Sequence, residues 1–240
     1  MLYIGTSGFY YNHWMGKFYP EGIKKSDFFK FYMEKFNTVE INSTFYRLPS
    51  EKTMLSWSEK TPEDFKFSIK MWRRITHYKK LKDVEEDIEL FLSRVSLLGK
   101  KLGIILIQLP PSIHFSPELL EDFLKILPPD FSYTIEFRHK SWFCEDTISL
   151  LKRYGVTFCS LSIPKDFPDD IFITSDKIYY RFHGKKSLYN YCYTEDELNE
   201  FALRLREKMD VAGDIYIFFN NDFNGYAPRN AMYLKKILPE

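Results

Sequence analysis

The chain has 240 residues, enough to bury a large core and within the size range of a one-domain α/β barrel. With 34 Lys plus Arg against 33 Asp plus Glu, the formal net charge is +1, so no long-range field draws the protein onto nucleic acid or an anionic membrane. Hydrophobic residues make up 45% and aromatic residues 18%, which excludes a disordered chain.

The predicted elements begin with a strand at Leu2–Ile4, followed by the ring-dense loop Gly8–Trp14, which suits either stacking of a sugar or base or plugging of a barrel edge. Strands two and three are predicted at Thr38–Ile41 and Phe65–Ile69. Asp83 with Glu86 reads as a cap for a helix through Ile88–Leu98. After a fourth strand at Gly103–Leu109, Ser116-Pro117 starts a helix that ends before Pro128-Pro129. A fifth strand at Tyr133–Phe137 precedes a helix containing Ile148, Leu150, Leu151 and Tyr154, closed by Gly155 in the left-handed position. The sixth strand is predicted at Thr157–Leu161. The connection Ile163–Asp176 after it holds Pro164 and Pro168 with no helical pattern, so it reads as a loop. Strand seven is predicted at Ile178–Phe182, followed by Tyr189, Tyr191 and Tyr193, a second set of rings that suits stacking or closure. Thr194 with Glu197 then caps a helix over Leu198–Met209. The eighth strand is predicted at Ile215–Phe219, and Ala227-Pro228 opens the last helix, which runs to Leu238.

Eight strands joined mostly through helices imply parallel, right-handed crossovers, hence a TIM-type (β/α)8 barrel with an irregular sixth connection, occupying residues 1–240 as a single domain. A doubly wound open sheet is the main rival.

Side chains alternate along a strand, which permits a test of where polar groups gather. Thr38, Glu40 and Asn42 share one face; so do Lys66, Ser68 and Lys70, then Thr134, Glu136 and Arg138, then Tyr179, Arg181 and His183, while Asn220 shares its face with Phe218. Polar residues keep one parity at the C-terminal ends, where a barrel carries its active site. The candidate mouth holds Thr6, Ser7, Glu40, Asn42, Lys70, Gln108, Glu136, Arg138, Ser160, Arg181, His183 and Asn220 to Asp222.

Each residue type has a chemical use. Arg138 and Arg181 offer bidentate recognition of carboxylate or phosphate. Lys70 suits an electrostatic clamp or a Schiff-base amine. Glu40 and Glu136 suit an acid–base pair, and His183 a general acid or base. Ser7, Asn42, Gln108, Asn220, Trp14, Tyr46 and Trp142 complete the expected substrate-binding set. The alternative is a satisfied ion-pair network of Glu40, Glu136, Arg138 and Arg181 that fixes strand register.

No cofactor is expected. The five histidines, His13, His77, His114, His139 and His183, show no HxH or HExxH spacing, so a divalent metal is the less favoured alternative. Cys144, Cys159 and Cys192 form no CxxC pair, and residues 1–20 lack a signal-peptide pattern. The expectation is a cytoplasmic protein with reduced thiols and no membrane association. No Walker, GxGxxG or GxSxG pattern occurs.

At Thr6-Ser7-Gly8-Phe9 with Trp14, Phe18-Tyr19-Pro20, Val39 to Tyr46, and Phe65 to Lys70, the chain resembles the YecE-like family, also called domain of unknown function 72. Gln108 to Pro111, Glu136 to His139 with Trp142, Tyr180 to Gly184, and Phe219 to Asn221 with Gly225 to Ala227 carry the resemblance to the last helix. It implies a TIM-type barrel and brings no reaction.

The functional expectation is an enzyme, a hydrolase or lyase, for a small phosphorylated, carboxylated or sugar-like substrate at the barrel mouth. The alternatives are a nucleic-acid-binding barrel of the abasic-site endonuclease type, disfavoured by net charge, and a non-enzymatic regulatory or interaction protein.

Overall fold

The computed structural model describes residues 1–164 and 167–238. The strands are β1 (Leu2–Thr6), β2 (Thr38–Ile41), β3 (Lys66–Lys70), β4 (Leu102–Gln108), β5 (Tyr133–Glu136), β6 (Thr157–Ser162), β7 (Lys177–Phe182) and β8 (Asp214–Phe219). The helices are α1 (Phe28–Met33), α2 (Ser43–Tyr46), α3 (Glu51–Lys60), α4 (Glu85–Val95), α5 (Pro117–Lys125), α6 (Glu145–Arg153), α7 (Glu195–Met209) and α8 (Tyr226–Ile237). All eight predicted strands are present, with ends that differ by one or two residues. The described residues between β6 and β7 form no helix, as the two prolines imply; Lys165 and Asp166 of that connection lie outside the described residues.

The chain forms two compact units, Met1–Glu40 with Ser160–Glu240, and Ile41–Cys159. In unit one, β8 lies between β1 and β7, parallel to both, with Ile4 opposite Ile217 and Arg181 opposite Phe218. Its core is aromatic. Tyr19 stacks on Phe28 at 4.1 Å, and Phe182 stacks on Phe219 at 4.4 Å across the β7–β8 pair. In unit two, β3, β4, β5 and β6 are parallel neighbours in chain order, with Lys70 opposite Leu106 and Gln108 opposite Glu136.

Helices form where apolar residues recur at helical spacing. Ile88, Phe91, Leu92 and Val95 are the buried apolar residues of α4, and Leu198, Phe201, Ala202 and Leu205 those of α7. Each large apolar side chain so buried stabilises the fold by about 1.5–3 kcal/mol relative to exposure. Three of the expected helix ends occur as the residues dictate. The Ser116 hydroxyl accepts from the Leu119 N–H with Pro117 at the first helical position, Thr194 and Glu197 form a complete capping box, and Gly155 takes φ +63 after α6.

The expected Asp83 cap does not form. Asp83 adopts φ +51 and α4 starts after Val84 without a side-chain cap, because the chain enters through a left-handed segment, Lys80, Leu81 and Asp83. The last helix starts at Tyr226, one residue before the expected Ala227, with left-handed Gly225 as its N-cap. Among the described residues, no helix is long and apolar enough to cross a membrane.

Candidate functional site

In unit one the centre is Glu40, third residue of β2 and fully buried. Its Oε1 accepts from Arg181 Nη2 at 2.6 Å, and its Oε2 accepts from the Tyr179 hydroxyl at 2.6 Å. Arg181 and Tyr179 stand two residues apart on β7, so the alternation that put them on one face also delivers both to one carboxylate. Arg181 is 1% exposed and Glu40 0%, so the pair is a buried one, with the two charges compensating each other away from solvent.

His183 directly follows β7, also fully buried. Its Nε2 lies 3.4 Å from Arg181 Nη1, and its Nδ1 lies 3.0 Å from the Asn220 side-chain amide just beyond β8. A guanidinium can only donate, so Nε2 is the accepting nitrogen in the contact with Arg181, and Asn220 Nδ2 stands against Nδ1 on the other side of the ring. The backbone here is held tightly. The His183 N–H donates to the Ser162 carbonyl at 2.9 Å, the Tyr189 N–H donates to the His183 carbonyl at 2.7 Å, and the Tyr189 ring stands nearly perpendicular to the imidazole at 6.1 Å. Gly184 adopts φ +110, and a Cβ there would run into the Ser187 carbonyl, so only glycine lets the chain turn back over His183.

Ser7, just past β1, pairs with Glu40 through a parallel bridge. Its N–H donates to the Phe219 carbonyl, and its carbonyl accepts from the Tyr11 hydroxyl at 2.7 Å. Its hydroxyl, in a side chain 1% exposed, has no hydrogen-bond partner among the described residues. The Tyr11 phenol is held protonated, above its ordinary range, by burial and then by the Asp222 and Glu40 charges. Burial likewise raises the Asp222 carboxyl. Trp14 is fully buried, its indole N–H donating to the Asp222 carbonyl at 2.9 Å. It therefore ties the β1 loop to the β8 loop. Ser160 is buried, and its hydroxyl accepts from the Phe172 N–H at 2.8 Å.

In unit two, Lys70 ends β3 with its Nζ donating to Gln108 Oε1 at 2.6 Å and lying 4.3 Å from the Phe45 ring centroid. Glu136 ends β5, fully buried. It accepts from Arg138 Nε on Oε1, and the Cys159 thiol lies 3.9 Å from Oε2. The Arg138 side chain keeps 12% exposure. Asn42 is half-buried at the start of α2, and Tyr46, at its end, is exposed with Arg73 over its ring. Trp142 is fully buried and donates its N–H to the Ile113 carbonyl at 2.8 Å. Among the described residues, no group of three or more His, Cys, Asp or Glu converges as a metal site.

The predicted residues thus gather into two clusters, one per unit, each at strand C-termini. Sequence reasoning put Tyr179 on the right face without assigning it a task, passed over Arg73, and weighed His77 only among the five histidines that lack metal-ligand spacing. The signal for these two was position, since they follow directly on the charged end of β3.

The family model described as "Protein of unknown function DUF72" matches residues 3–240. The UPF0759 protein YunF of Bacillus subtilis is 26% identical over 99% of this chain and 95% of its own length. The UPF0759 protein YecE of Escherichia coli K12 is 34% identical over 60% of this chain and 51% of its own. A solved DUF72 family protein from Thermotoga maritima superimposes with a TM-score of 0.91 at 36% identity, covering all of both chains. One from Enterococcus faecalis V583 does so with a TM-score of 0.87 at 20% identity, over 99% of this chain and 95% of that one, and shows the fold alone. The fold is accordingly the TIM-type (β/α)8 barrel that the strand count implied, and the chain belongs to the DUF72 family of proteins of unknown function.

Proposed function

We propose that the protein is an enzyme acting on a small anionic or sugar-like substrate by acid–base chemistry, with His183 as the group that moves the proton. The observation that carries the reading is a fully buried imidazole at a strand C-terminus whose Nε2 faces a guanidinium, itself fixed by a carboxylate and a phenol. The 3.4 Å contact between Nε2 and Arg181 is long, so a neutral ring can give it up to take a substrate proton, and Glu40 on Arg181 offsets the positive charge that the imidazole then gains. Glu40, expected from the sequence as half of an acid–base pair, has both its oxygens engaged, and we assign it to positioning Arg181.

Unit two carries its own carboxylate–guanidinium pair, Glu136 with Arg138, and the Lys70 amine, groups suited to anion recognition. The Ser7 hydroxyl is a donor with no protein partner among the described residues, as a substrate contact requires.

The test is a turnover screen of phosphorylated, carboxylated and glycosidic small molecules with the wild type and His183→Asn. Arg181→Ala is a poor probe because it breaks the buried ion pair with Glu40 and so mixes loss of stability with loss of turnover. The expected result is turnover by the wild type and a loss of about 10²–10⁴-fold in a His183→Asn variant that is still folded by circular dichroism at the assay temperature. Equal rates in the two proteins sink the reading.

The complete burial of Glu40 and Arg181 favours a second reading, a structural ion-pair network that fixes β2 against β7. It predicts that variants of this cluster lose stability and no turnover.

A further inference from the structure

Beyond β3 the chain makes a π-helical turn, Arg74–Tyr78, closed by the Lys79 N–H donating to the Arg74 carbonyl at 2.9 Å. The segment after it, with Lys80, Leu81 and Asp83 at φ 50, 70 and 51, is strained by about 1–3 kcal/mol per residue and persists because the turn is anchored. Asp87 of α4 provides the anchor, taking Arg74 Nε at 2.8 Å and Lys79 Nζ at 2.9 Å.

That leaves Arg73. Among the described residues it has no hydrogen bond and no ion pair; its guanidinium lies 5.5 Å from the Tyr46 ring centroid and 5.1 Å from that of Tyr78. Stacking pre-orients a planar guanidinium while its N–H groups stay available for an oxyanion. Two more nitrogen groups converge on the same aromatic patch. Lys70 Nζ lies 4.3 Å from the Phe45 centroid, and the His77 ring meets Phe45 edge-on at 4.8 Å. Phe45 in turn packs against Tyr46 at 5.0 Å. His77 Nδ1 is engaged by the Thr76 hydroxyl at 2.8 Å, which leaves Nε2 unengaged among the described residues.

We propose that Arg73, His77 and Lys70 form a subsite for a phosphate monoester, with Tyr46 and Tyr78 flanking the organic part of the ligand. Three nitrogen groups around one aromatic patch match the three terminal oxygens of a phosphate monoester, whereas a carboxylate offers two oxygens and one charge against two fixed cations. Exposed tyrosine rings beside a phosphate-binding guanidinium suit a sugar or a base. Burial, then Lys70, then Arg73 push the His77 ring down to about 4, so it is neutral at pH 7 in a locally positive field, which a seated phosphate group would reduce.

The inference rests on the reading of an anionic substrate and deepens it, but its test reads binding alone. The His77 ring protons of the full chain are followed by NMR through a pH titration in sodium phosphate, in sodium chloride of matched ionic strength, and in sodium acetate, with His77→Gln to assign the signal. Phosphate is expected to raise the His77 pKa by about one unit or more over chloride, and Arg73→Gln, folded by circular dichroism, to abolish that rise. No phosphate-specific rise, or an equal rise in Arg73→Gln, overturns the subsite; an equal rise with acetate overturns the phosphate assignment. A rise without any turnover in the screen above leaves the subsite standing and removes the acid–base reading. Turnover that depends on His183 with no rise at His77 removes the subsite alone.

Discussion

His77 shows how a residue of unremarkable sequence context acquires a specific chemistry from its neighbours. Half-buried and facing Lys70 and Arg73, it titrates at about 4 in place of its ordinary 6.5. Between those values the unfolded chain binds a proton that the folded chain does not, so protonation favours unfolding. The contribution of His77 to stability is therefore complete above pH 6.5 and is lost as pH falls towards 4. His77→Gln, which cannot protonate, is expected to narrow the gap in melting temperature between pH 7 and pH 4.5. A gap as wide in the variant as in the wild type would show that other groups carry the acid sensitivity. Asp87 works in the same direction further down the scale. Burial raises its carboxyl, but the hydrogen bonds from Lys79 and Arg74 outweigh that and hold it below its ordinary value.

At the scale of elements, the helix boundaries separate what short-range chemistry specifies from what it does not. Thr194 and Glu197 exchange both bonds of a capping box, and Glu197 additionally accepts from the Tyr191 hydroxyl at 2.7 Å, so this cap also holds the end of the loop that returns from His183. Thr194→Ala is expected to cost about 1 kcal/mol. That corresponds to a fall of about 2–4 °C in melting temperature for a chain of this size, checked by calorimetry; an unchanged melting temperature would show the cap to be dispensable. The cap was legible in the sequence because both partners lie within three residues. Asp83 with Glu86 has the same spacing and fails, because the preceding π-helical turn and the Asp87 anchor impose a left-handed entry that no local pattern announces. Trp14 follows the same logic. Ring-rich loops are visible in the sequence, but that Trp14 donates to the Asp222 carbonyl, 208 residues away, depends on the β1 and β8 loops lying side by side.

At the scale of the whole molecule, the count of eight strands gave the fold class, and alternation put Glu40, Tyr179 and Arg181 on the faces from which they meet. Partners were beyond its reach. Parity says that Glu40 and Arg181 each face the polar side of their strands; that they meet, 141 residues apart, is set by the stagger of β2 and β7 and by the Ser7–Glu40 bridge. The same meeting makes the pair a test of how fold and chemistry share these residues. Removing one member breaks this buried ion pair, at a cost of about 3–5 kcal/mol in stability, and removing the second then costs less because the pair is already broken. Glu40→Gln, Arg181→Met and the double variant therefore form a cycle, with urea unfolding as the measurement. The double variant is expected to be more stable than the sum of the two single losses implies, by about 1–3 kcal/mol. Strict additivity would show that the two side chains do not depend on one another, and with that Glu40 would lose its assignment as the residue that positions Arg181 beside His183.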